Sequence, residues 1–221
     1  MSEVNLDLFK VEHDPNGEGI VLLQHGFLQN AFPKGVKEAV DEALQLLRPA
    51  ITVTFSPDYG AVAKRIEEPT WVHFAQHLRS QVYPFLFDLD PKDIKVVADS
   101  WGTALWQMSG IECRQLAFRV PRIGEDRLSL VEKYESMAVR TSIPEVFAKY
   151  RRAFPLLPNS AEMAASLFRG AAKSGLDLES FTPNVVGVRG FHDNLFHPAE
   201  ALEKVDAFDT VEEALARLGL N

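Results

Sequence analysis

The segment Ala98-Asp99-Ser100-Trp101-Gly102 constrains the fold more than any other part of the chain. It follows the apolar run Ile94-Lys95-Val96-Val97-Ala98, which reads as a buried strand. It leads straight into Thr103-Ala104-Leu105-Trp106-Gln107-Met108, which reads as a helix. A strand and a helix joined without a loop require a sharp turn. The residues two positions either side of its central serine then crowd one another, so both must be small, as Ala98 and Gly102 are. Such a turn stands the Ser100 hydroxyl at the C-terminal end of the strand, beside a helix N-terminus whose backbone N–H groups can face developing negative charge. The plainer reading makes Ser100 only the N-cap of that helix. Asp99 as the reactive residue would need Val97 and Trp101 at the small positions, and is rejected on that ground.

Other short β-branched runs ending on glycine or polar residues repeat the strand signal. Gly19-Ile20-Val21-Leu22-Leu23-Gln24 precedes His25-Gly26, and Val185-Val186-Gly187-Val188-Arg189-Gly190 precedes Phe191-His192-Asp193. Ile51–Phe55 and Gln115–Val120 are weaker strand candidates. Between them, Lys34–Leu47 carries Val36, Ala39, Val40, Ala43, Leu44 and Leu47 on one helical face, and Trp71–Phe87 repeats that pattern. This alternation predicts an α/β fold over residues 1–221: one domain with a mostly parallel sheet covered by helices on both faces. Residues 125–180 break the alternation. They are helix-rich, with Pro144, Pro155 and Pro158 as breakers, and are expected to form a helical lid inserted in the domain.

The run Leu22-Leu23-Gln24-His25-Gly26-Phe27-Leu28, taken with the serine turn, resembles the α/β-hydrolase family, in which an earlier strand typically ends in a His-Gly pair. The resemblance implies a serine hydrolase with Ser100 at the nucleophile elbow. It also implies an oxyanion hole built from the backbone N–H groups of Phe27 and Trp101. Gly26 would let the chain pass close to a substrate, and His25 is expected to be structural.

In the same resemblance, Gly190-Phe191-His192-Asp193, followed by an apolar pair and Pro198, matches the strand end that carries the acid in many members. Asp193 is the expected acid. The family's histidine should follow a further strand, and the chain has no histidine after His197. The base is therefore sought among His192, His197 and His25. His192 is preferred because it lies nearest a strand end, where the backbone should be rigid. If 185–190 were instead the final strand, the acid would be Glu125 or Asp126, with Asp126 the alternative to Asp193. His73 and His77 lie one helical turn apart, but Phe74-Ala75-Gln76 lacks the glutamate of a His-Glu-x-x-His site, so no metal is expected.

Composition narrows the function classes. With 31 acidic against 23 basic residues and a net charge of -8, the chain is a poor binder of nucleic acid or anionic membrane. No apolar stretch approaches the roughly 20 residues needed to span a bilayer. The N-terminus lacks the basic-then-apolar pattern of a signal peptide. The lone Cys113 permits no internal disulfide. A cytoplasmic location is expected, with no cofactor. The absence of Gly-x-Gly-x-x-Gly after a strand argues against a dinucleotide-binding domain. The expected function is hydrolysis of a small ester, thioester or amide through an acyl-serine intermediate, with Phe147, Tyr150, Phe154, Leu156, Leu157 and Phe168 available to line an acyl pocket. The alternative is an inactive hydrolase-fold protein that binds a ligand or partner.

Overall fold

The computed structural model describes residues 4–124, 128–174, 178–193 and 196–220. Among them, seven strands form one sheet: β1 (Phe9–His13), β2 (Ile20–Gln24), β3 (Ile51–Phe55), β4 (Lys95–Asp99), β5 (Arg114–Phe118), β6 (Val185–Val188) and β7 (Asp206–Phe208). Their order is β1-β3-β2-β4-β5-β6-β7, and every neighbouring pair is parallel except β1 with β3. The strongest sequence runs occupy the interior of this sheet. Val21, Val96, Val97 and Val186 are almost wholly buried, because a parallel strand covered on both faces must be apolar on both.

Among the described residues, eight α-helices accompany the sheet: α1 (Lys34–Leu47), α2 (Tyr59–Arg65), α3 (Trp71–Leu86), α4 (Trp101–Ser109), α5 (Leu128–Thr141), α6 (Pro144–Ala153), α7 (Ala161–Ser174) and α8 (Val211–Arg217). They divide into two layers. On one face, Val36, Val40 and Ala43 of α1 and Val211 and Leu215 of α8 pack against Val21, Val97 and Val186. On the other, Phe74 and Leu78 of α3 and Leu105 of α4 pack against Leu22 and Val96. Full burial of each such Val, Leu or Phe side chain stabilises the fold by about 1.5–3 kcal/mol.

Helices α5, α6 and α7 fill the stretch between β5 and β6 that the sequence marks as helix-rich. Tyr134 of α5 and Phe168 of α7 meet Phe27, which follows β2, at ring-centroid distances of 6.4 and 6.3 Å. Tyr134 also lies 6.0 Å from Trp101, which follows β4. Helices α5 and α7 therefore pack against residues that directly follow β2 and β4. Among the described residues, no helix is long and apolar enough to cross a membrane.

Candidate active site

The turn at Ser100 has the geometry its sequence requires. Ser100 adopts φ 56° and ψ -131°, a region that costs a non-glycine residue of order 1–3 kcal/mol. The surroundings hold it there. Ser100 N–H donates to the Phe118 carbonyl at 2.9 Å, and the Ser100 carbonyl accepts from Thr103 N–H at 2.9 Å. Ala98 is fully buried. A Cβ on Gly102 would lie 2.7 Å from the His25 carbonyl oxygen and 3.0 Å from that of Gln24, so α4 starts against the backbone of β2 with no room for a side chain. Gly102→Val is accordingly expected to destabilise by about 3 kcal/mol or more, beyond ordinary overpacking, because the obstacle is backbone. A thermal melt within a degree or two of wild type would contradict this account of the turn.

Ser100 Oγ lies 2.6 Å from His197 Nε2, and His197 Nδ1 lies 2.5 Å from Asp193 Oδ2. With a proton on Nδ1 donated to the carboxylate, Nε2 is left to accept from the serine hydroxyl. The histidine brought to Ser100 is thus His197 and not the preferred His192. His192 is exposed and borders a different surface depression, with Arg189, Gly190 and Phe208.

Rigidity at His197 comes from the loop's own hydrogen bonds rather than from proximity to β6. Asp193 Oδ1 accepts the backbone N–H groups of Phe196 at 2.6 Å and His197 at 3.2 Å, while Asp193 N–H donates to the His197 carbonyl at 2.7 Å. One carboxylate therefore folds the loop with one oxygen and orients the imidazole with the other. A sequence signal for this existed, since an aspartate before a short loop commonly caps the backbone that follows it.

The remaining candidates separate cleanly. His25 is buried, packs edge-on against Phe32 at 4.5 Å, and is pushed by burial down to a pKa of about 4. It makes no bond to Ser100 and stays neutral. His73 Nδ1 accepts the Thr70 N–H at the start of α3, and His77 Nε2 accepts the Asp58 N–H, so each imidazole serves a nearby backbone group. Glu125 and Asp126 lie outside the described residues. Asp99 is fully buried and paired with Arg119, whose Nε donates to Oδ1 at 2.7 Å and whose Nη2 donates to Oδ2.

A cavity of about 170 Å³ opens beside Ser100, bordered by Phe27, Trp101, Tyr134, Met137, Phe154, Phe168 and Phe196 and by the polar Gln29, Arg119, Asp193 and His197. Trp101 stacks on Trp71 at 4.5 Å with planes 5° apart, which fixes the indole forming part of the wall. Of the pocket residues expected from sequence, Phe154 and Phe168 border the cavity. Phe147, Tyr150 and Leu156 are instead partly buried against the apolar core, and Leu157 is buried in it. Tyr134 and Met137 were missed because helical periodicity alone does not distinguish a residue packed in a core from one facing a cavity, and Phe196 because its place depends on how the loop after β6 folds.

The backbone N–H groups of Phe27 and Trp101 donate to no backbone carbonyl outside regular secondary structure among the described residues, and both residues border the cavity. Burial lowers the pKa of His197 below the ordinary imidazole value and the Arg119 charge adds to that, while the Asp193 hydrogen bond opposes both.

The strand order, the flanking helices and the strained serine turn after β4 are those of the α/β-hydrolase fold, and this chain has that fold. Solved structures agree. An α/β-hydrolase enzyme from a Medee basin deep-sea metagenome library matches with a TM-score of 0.55 and 11% identity, over 96% of this chain and 92% of the other. A serine hydrolase from the polyaromatic hydrocarbon-degrading bacterium Cycloclasticus zankles matches with a TM-score of 0.52 and 14% identity, over 99% and 95%. A hydrolase from Oleispira antarctica matches with a TM-score of 0.56 and 12% identity, over 90% and 84%. No family model matches the sequence, and no curated protein matches it.

Proposed function

We propose that the chain is a serine hydrolase acting on a small ester, thioester or amide through an acyl-Ser100 intermediate. The observation that carries this reading is the continuous contact from Ser100 Oγ through His197 to Asp193, at 2.6 and 2.5 Å, opening on a mainly aromatic cavity. In the proposed reaction, Oγ attacks the acyl carbon as its proton passes to His197 Nε2. The carbonyl oxygen gathers negative charge and is met by the Phe27 and Trp101 N–H groups. Collapse breaks the bond to the leaving group, which takes the proton from His197. Water then attacks the acyl carbon as His197 Nε2 takes its proton, and collapse breaks the acyl–Oγ bond, with His197 returning the proton to Ser100 Oγ as the acid product leaves. Asp193 holds the tautomer and stabilises the imidazolium as it forms.

The test is a fluorophosphonate probe with peptide mapping. Labelling at Ser100 is expected. Absence of labelling, together with ester hydrolysis no faster than that of Ser100→Ala, would favour the ligand-binding alternative.

Two further results are expected. His197 acts as base only when neutral, and its pKa is held below the ordinary value of 6.5, so the acid limb of kcat/KM should have its midpoint below pH 6.5. A midpoint above 6.5 in a pH–rate profile would mean that the Asp193 carboxylate outweighs burial. Separately, Phe154 follows α6 and is only half-buried, so Phe154→Ala should lengthen the cavity at little cost in stability. The optimum acyl length should rise by two or more carbons in a chain-length series. An unchanged optimum would remove Phe154 from the acyl-binding wall.

A further inference from the structure

The cavity wall is aromatic or apolar apart from Ser100, His197 and Asp193 and one other patch, formed by Gln29 and Arg119. Building on the hydrolase reading above, we propose that this patch is a subsite for a second oxygen acceptor on the acyl group, either an oxo group or a carboxylate, a few bonds from the carbonyl that Ser100 attacks.

The donor inventory leads there. Arg119 uses Nε and Nη2 on Asp99, and Nη2 also donates to Gln29 Oε1 at 3.3 Å. Among the described residues, Arg119 Nη1 makes no hydrogen bond to protein. Gln29 turns its carbonyl oxygen to the guanidinium, which leaves its amide N–H groups as the free end, again without a protein partner. The patch therefore offers donors on both side chains, with its acceptors already engaged, and the ligand that satisfies it is an acceptor.

Placement and rigidity support the same conclusion. Asp99 immediately precedes Ser100, and the Phe118 carbonyl that receives the Ser100 N–H belongs to the residue before Arg119. The subsite thus begins at the nucleophile's own backbone, and a cavity of about 170 Å³ keeps the second acceptor close to the reacting carbonyl. Asp99 grips the guanidinium on two nitrogens and orients it before any ligand arrives. It also cancels the charge locally, so a neutral oxo group is accommodated as readily as an anion.

The experiment compares kcat/KM for methyl 4-oxopentanoate, monomethyl succinate and methyl pentanoate in wild type, Arg119→Lys and Gln29→Leu. Ratios between substrates are read within each protein, so a partly folded variant still reports its selectivity. Wild type should favour at least one oxygen-bearing ester over methyl pentanoate by about tenfold, the scale of one hydrogen bond to a charged group. The ratio should fall to about twofold or less in Arg119→Lys and be reduced in Gln29→Leu. Preference for both oxygen-bearing esters assigns any oxygen acceptor, and preference for monomethyl succinate alone assigns the carboxylate. No preference in wild type, or one unchanged in both variants, overturns the proposal. Binding of the same three esters to Ser100→Ala, followed by tryptophan fluorescence, reads the subsite without turnover. If wild type hydrolyses none of them, the hydrolase reading is in doubt and the binding preference alone decides this one.

Discussion

His197→Ala is expected to reduce ester hydrolysis to the Ser100→Ala level, a loss of about 10⁴-fold or more in kcat. In the proposed mechanism the two residues act on one proton, so the double variant should be no slower than either single one. His192→Ala should retain most of the wild-type rate, because that side chain is exposed and faces another part of the surface. Asp193→Asn should fall between, since its amide oxygen can still accept the loop's backbone N–H groups while its NH2 replaces the oxygen that faces His197 Nδ1. Steady-state rates on a small activated ester, for protein of verified fold, decide the matter. Activity in His197→Ala within tenfold of wild type, or loss of activity in His192→Ala, would transfer the base to another group.

The second large effect concerns stability. Arg119→Met should leave the Asp99 carboxylate unpaired in a fully buried position, at a cost of about 3–5 kcal/mol. For a domain of this size that corresponds to a fall in Tm of roughly 10 °C or more. Burial pushes the Asp99 pKa upward while the Arg119 contact pulls it down. The variant should therefore keep Asp99 protonated to higher pH and lose least stability in acid. Asp99→Asn added to Arg119→Met removes the stranded charge and should recover much of the loss. Thermal melts of the single and double variants measure this. A single variant within two or three degrees of wild type would mean that the pair is hydrated and contributes little.

How much of this was legible in the sequence follows from where each element lies. Strands β2, β4 and β6 are interior, and their unbroken apolar runs announce them. Strand β1 lies at the edge, with four of its five residues exposed, so Phe9-Lys10-Val11-Glu12-His13 carries no comparable run. Strand β7 has only three residues. Helix α8 was overlooked although Thr210 accepts a hydrogen bond from the Glu213 N–H, and Thr-x-x-Glu is a start signal for helices.

The site divides in the same way. Ser100 and its small neighbours are a local steric requirement, so adjacent residues reveal it. The oxyanion expectation for Phe27 and Trp101 rested on two local patterns, and both residues do border the cavity. The choice between His192 and His197 depends on how a loop closes over Asp193, which is a tertiary fact. Nearness to the strand end favoured His192, whereas the loop, stiffened by a side chain and not by the sheet, carries His197 to Ser100.

The spacing of Asp193 and His197 has an evolutionary consequence. When acid and base sit on separate loops, each can drift or be re-sited on its own. Here both belong to a single five-residue cassette whose backbone is closed by the acid itself. An insertion inside the cassette would remove both at once, whereas lengthening the chain on either side would leave their mutual geometry intact. Beyond it, β7 forms an edge of the sheet and α8 covers one of its faces, and neither contributes a group to the proposed chemistry. That tail is thereby free to vary in length and surface character, constrained only by the apolar face it must present to its neighbours.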